Sequence, residues 1–111
     1  MKEKATRTLA QERLDSQLVY ALRRKRGEIS KDIPREIDVK IREDGRVLVD
    51  IEASVSKEML ALIERQGGQV INSFPAQNAI RALVPLVNIE TVAAQPGVRF
   101  IRPAVGASTQ R

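Results

Sequence analysis

One order of elements occurs twice in this chain and restricts its fold more than any bulk property does. Alternating apolar residues at 47–53 lead into a helical stretch at 56–66, then Gly68, a short strand-like stretch at 69–73 and Pro75. The same order returns as 78–84, 86–95, Gly97, 98–102 and Pro103. The helical stretches place Met59, Leu60, Leu62 and Ile63 on one face, and Leu86, Ile89, Val92 and Ala93 on another. Ser54 or Ser56 is positioned to cap the first helix, with Glu58 in its first turn, and Gly67-Gly68 ends it. Pro85 opens the second helix and Gln95-Pro96-Gly97 stops it. Two strand-helix-strand units in tandem make the split βαβ pattern, whose crossovers put both helices on one face of a four-stranded antiparallel sheet.

The expected class is therefore α+β, ferredoxin-like βαββαβ, in one domain, because 111 residues leave room for a single core. Upstream, Ala10, Leu14, Leu18 and Ala21/Leu22 recur at helical spacing, and Arg23-Arg24-Lys25-Arg26 followed by Gly27 closes that helix. Its apolar stripe is narrow, so the helix either lies on the body or pairs with a partner. Between the helix and the repeat, Ile37, Val39 and Ile41 alternate ahead of Asp44-Gly45, a hairpin signal. Since the strand at 47–53 is central in a split βαβ sheet, the strand at 37–41 either extends the sheet or pairs only near the turn. The expected organisation is a basic N-terminal helix at 1–26, a linker at 27–36, the α+β domain at 37–103 and an extended tail at 104–111.

Charge and missing residue types exclude several functions. The chain has no cysteine and no histidine, which removes disulfides, Cys/His metal sites and histidine-assisted nucleophiles. Residues 1–26 hold eight Lys/Arg against three Asp/Glu, whereas 27–111 hold eleven of each, so the whole surplus of +5 lies on the N-terminal arm. Arg23, Arg24, Lys25 and Arg26 suit the negative end of the helix dipole. A nucleic-acid, membrane-surface or cleavage role for the run stays open at this stage. No apolar run approaches the length of about 20 residues that a membrane span needs. The opening residues lack a secretory core, which is the expectation for a cytoplasmic chain, or for an extracellular one if it belongs to a secreted precursor.

Candidate sites were weighed by chemistry. RNA recognition on such a sheet needs exposed aromatics on the central strands, and 47–53 and 78–84 contain none. A small-molecule regulatory domain is disfavoured because the turn Ala53-Ser54-Val55-Ser56 has no glycine. Asp50 and Glu52 share one strand face and could form a carboxylate pair, but the simpler expectation sets them on the face away from the helices, solvated or paired with Arg81. Glu58, Glu64 and Glu90 read as outer-face helix residues. No catalytic group, cofactor or metal is expected.

From Arg46 onward the chain resembles the propeptide of subtilisin-like serine proteases, the propeptide-type protease inhibitor family. Gly67-Gly68-Gln69-Val70, Phe74, Ala79-Ile80-Arg81-Ala82, Val92 and Pro96-Gly97-Val98-Arg99-Phe100-Ile101 carry the resemblance. It implies an inhibitor and folding assistant, not an enzyme, acting on a subtilisin-like serine protease in cis or in trans. The open sheet face would dock through Asp50, Glu52 and Arg81. The tail Ala104, Val105, Gly106, Ala107, Ser108, Thr109, Gln110 and Arg111 would lie extended in the substrate cleft. The alternatives are a homodimerising regulatory module and a nucleic-acid binder working through the basic arm.

Overall fold

Val47, Val49, Ile51 and Ala53 alternate with Arg46, Leu48, Asp50 and Glu52, and this period of two gives a strand with one buried face, β1 (Arg46–Ala53). It belongs to a computed structural model that describes residues 9–28, 31, 33 and 39–104. β3 (Ala79–Pro85) runs antiparallel on one side of β1, setting Val84, Ala82 and Ile80 opposite Val47, Val49 and Ile51. β4 (Val98–Pro103) runs antiparallel on the other side, with Ile101 opposite Ile51. β2 (Gln69–Phe74) pairs antiparallel with β3, so the sheet order is β2-β3-β1-β4. The class is α+β with a four-stranded antiparallel sheet.

The two inner helices form where capping and spacing direct them. α3 (Lys57–Arg65) begins at Ser56, whose Oγ accepts from the Met59 N–H at 3.1 Å, and it buries Met59 and Ile63. Its end is a glycine pair with two separate requirements. Gly67 sits at φ +86, and its N–H donates to the Glu64 carbonyl at 3.0 Å. Gly68 has no room for a side chain, because a Cβ would lie 2.7 Å from the Leu83 carbonyl oxygen and 2.9 Å from Ile63. The second helical stretch is shorter than its apolar spacing suggests: a 3-10 turn at Leu86–Asn88 leads into α4 (Ile89–Ala93). Asn88 spends its side-chain amide on the Gln66 carbonyl at 2.9 Å, tying the end of α3 to the start of α4. Phe74-Pro75 turns through a 3-10 segment, Pro75–Gln77, and Asn78 adopts φ +53, so β3 starts at Ala79 and not at Asn78.

The N-terminal segment departs most from expectation. Residues 1–8 lie outside the described part, and among the described residues there are two helices in place of one, α1 (Leu9–Glu12) and α2 (Ser16–Lys25), broken at 13–15. The break has a physical cause on each side. Asp15 caps α2, accepting from the Gln17 N–H at 2.9 Å. The backbone at 13–15 bonds the free edge of β4: Ile101 N–H donates to Arg13 O at 2.8 Å and Asp15 N–H donates to Ile101 O at 2.9 Å. Leu14 and Ile101 thereby form a parallel bridge. The periodic residues Ala10, Leu14, Leu18, Ala21 and Leu22 are all buried, so the stripe reads correctly even though the helix is interrupted. α2 lies on the body.

Of the two expectations for the strand at 37–41, pairing only near the turn is the one observed among the described residues. Residues 37 and 38 lie outside the described part, Val39 and Lys40 are not in a strand, and Ile41 makes one antiparallel bridge to Val47. β1 already has β3 along one edge and β4 along much of the other, which leaves only the stretch nearest the turn. The Asp44-Gly45 turn itself forms, with Gly45 at φ +83 and the Arg42 N–H on Arg46 O at 2.9 Å.

Residues of α1 to α4, of the 3-10 turn at Leu86–Asn88 and of β1, β3 and β4 join one core cluster in which Leu18, Leu22, Ile51, Ile63, Ile80, Ile89 and Ile101 are fully buried. No polar or charged side chain is buried among the described residues. The helices therefore share one face of the sheet.

Candidate functional site

The second face of the sheet is where the expected docking residues lie. Residues directly opposite across antiparallel strands point to the same side, so the register fixes its rows. The first row, from β2 to β4, is Phe74, Ala79, Glu52 and Phe100. The second is Asn72, Arg81, Asp50 and Arg102. The third is Gln69, Leu83 and Leu48, closed by Ala104, whose N–H donates to Leu48 O at 3.0 Å. Among the described residues no helix lies over these rows.

Of the two expectations, solvation or pairing with Arg81, Asp50 meets the second. Arg81 Nε and Nη2 donate to the two Asp50 carboxylate oxygens at 2.8 and 3.1 Å, a forked pair in which each side chain is about one-third exposed. The hydrogen bond to Asp50 pushes the Arg81 guanidinium further above its ordinary value. Arg102 stands across from Asp50 on the other flank. Asp50 is therefore committed to its own neighbours. Glu52 differs: it is exposed and has no hydrogen-bond or ion-pair partner among the described residues. It sits between the strand positions of Ala79 and Phe100, and Phe74, 42% exposed, ends the row. The Arg102 guanidinium lies over the Phe100 ring, 5.5 Å from its centroid. The face thus offers one free carboxylate between aromatic rings and a forked ion pair beside it.

Leu83, 6% exposed, and Ala104, 7% exposed, belong to this second face and not to the core cluster. Ala104 was expected to open the loose tail. It is instead fixed to β1 by its hydrogen bond to Leu48, so any free tail begins no earlier than Val105. Val105, Gly106, Ala107, Ser108, Thr109, Gln110 and Arg111 lie outside the described residues.

The basic run is spent largely on the protein itself. Arg23 Nε donates to Glu28 at 2.9 Å and Arg26 pairs with Glu90. Arg24 and Lys25 are exposed and, with Ala21, Val39 and Ile41, line a hollow of about 230 Å³. Glu90, expected to be an unremarkable surface carboxylate, is a junction: it also accepts from Gln11 Nε2 at 2.7 Å. Arg13, which sequence reasoning did not single out, donates to the carbonyls of Ala93 and Gln95 at 3.0 and 3.1 Å, at the end of α4.

No group of three acidic residues placed to hold a metal occurs among the described residues, and no helix there is long and apolar enough to cross a membrane. The fold and site together define an α+β domain with one face of its sheet covered by helices and the other presenting ordered polar and aromatic rows. Comparison with protein-family models, with curated proteins and with solved structures gives no match.

Proposed function

We propose that this chain is a propeptide-like inhibitor and folding assistant of a subtilisin-like serine protease, docking by the open sheet face and laying residues 105–111 in the substrate cleft. The observation that carries the reading is the segregation of the helical elements to one face, which leaves the rows of Phe74, Glu52 and Phe100 and of Arg81, Asp50 and Arg102 exposed to a partner. The order β2-β3-β1-β4, with a helix after β1 and another after β3, supports the finer ferredoxin-like reading of the fold. The last strand supports the two-part contact, because Phe100 and Arg102 lie on the same face and the chain leaves the sheet two residues later, at Ala104. An extended segment then gains main-chain hydrogen bonds by adding to a partner's strands. Glu52 is the carboxylate available to the amino end of a partner helix, where free N–H groups and the dipole favour an anion.

Titrating the chain into a subtilisin-type protease with a chromogenic substrate tests this. Inhibition at about micromolar concentration, weakened by removing the last seven residues, is expected. An unchanged rate of substrate hydrolysis, with and without those residues, rejects the reading.

A further inference from the structure

We propose that residues 10–26 form a latch on β4, so that the N-terminal helices control the strand that carries Phe100, Arg102 and the departing tail. β4 has β1 on one side only, and an edge strand exposes its remaining backbone groups. At Ile101 both of those groups are taken, the N–H by Arg13 and the carbonyl by Asp15. Arg13 grips a second point. Its guanidinium donates to Gln95 O, and Gln95 O also accepts from the Val98 N–H at 3.2 Å where β4 begins. One residue thus holds β4 at its entrance with its side chain and at its middle with its carbonyl.

The latch is seated by packing and by charge. Leu14, Leu18, Val19, Ala21 and Leu22 are buried in the core cluster. Glu90 on α4 receives Gln11 from α1 and Arg26 from the end of α2, fastening both ends of the latch to one carboxylate. Detaching residues 13–15 bares the outer edge of β4 at Ile101, and freeing β4 removes the backbone partner of Arg13 and Asp15. The two segments open as one unit with β4, ahead of the central β1–β3 pair.

The control of the docking face rests on the proposed function, whereas the latch itself does not, and the experiment separates them. Amide hydrogen exchange by NMR is followed on the full chain and on Arg13→Gln, which removes the guanidinium bonds to Ala93 and Gln95. The Ile101 amide, whose acceptor is Arg13, and the α2 amides should exchange faster together, by about tenfold. Amides of the β1–β3 pair should change much less. Glu90→Gln should move the same two groups in the same direction by a smaller factor. A rise at Ile101 alone, at α2 alone, at every amide equally, or nowhere overturns the latch. Inhibition of a subtilisin-type protease is then measured with both chains: absence of inhibition by the unaltered chain rejects the docking reading and leaves the exchange result standing.

Discussion

Leu18→Ala asks whether the N-terminal helices belong to the folding unit. Leu18 is on α2 and fully buried in the same cluster as β1, β3 and β4. Truncating a fully buried leucine costs the transfer of the removed carbons plus the cavity left behind, about 2–5 kcal/mol. Against a total stability of about 5–15 kcal/mol for a domain, that is a large fraction. With a urea slope of about 1.5 kcal/mol per molar, a loss of about 3 kcal/mol lowers the unfolding midpoint by about 2 M. The chain contains one tyrosine and no tryptophan, so tyrosine emission comes from Tyr20, which lies on α2. Far-UV circular dichroism reports the whole fold. Both signals should give the same midpoint, and both should fall together in the variant. A circular-dichroism transition shifted by less than about 0.5 kcal/mol, with only the Tyr20 signal altered, would refute the integral role of α2.

Gly68→Ala should destabilise by about 1–3 kcal/mol, because its Cβ would press on the Leu83 carbonyl and on Ile63, and a lowered thermal midpoint checks it. Asp15→Ala removes the oxygen that accepts from Gln17 N–H and should cost about 1 kcal/mol in urea unfolding, with Asp15→Ser recovering most of it. The Asp44 carboxyl accepts from the Arg46 side chain and backbone, which holds it below its usual 3.8. A lowered folded value gives a stabilisation present above the unfolded value and lost as pH falls through the folded one, so NMR titration of Asp44 should show a midpoint under 3.8, and a midpoint at or above it counters the assignment. Glu52→Ala should weaken protease inhibition while shifting stability by less than about 0.5 kcal/mol, since the carboxylate has no partner among the described residues; a drop in thermal midpoint matching the loss of inhibition would contradict this.

Much of the sheet was legible because strand alternation and capping are local. Val47, Val49 and Ile51 betray β1 by their period, and Ser56 and Gly67 mark the ends of α3 through bonds to residues three positions away. The face of Asp50 was legible from the strand's period, with pairing to Arg81 or solvation as the two options, and the register of β1 and β3 selects the pair. What was not legible depends on contacts distant in sequence. Nothing local says that Asp15 prefers to cap a second helix while its N–H reaches Ile101, so the spacing of Ala10, Leu14 and Leu18 read as one helix. By contrast, the limit on the strand at 37–41 was legible, since a central β1 leaves free edge only near the turn, where Ile41 makes its bridge to Val47. Glu90 and Arg13 escaped notice because their partners lie 64 to 82 residues away.

Among the described residues β2 pairs on one side only, and its sequence from Gln69 to Phe74 carries no charge while Ile71 and Phe74 are exposed. Natural sheets guard such borders with lysines or prolines. Here the opposite border is occupied at Ile101 by the chain's own residues 13–15. Two molecules joined border to border through β2 would turn outward their β4 borders, each occupied at Ile101 by residues 13–15.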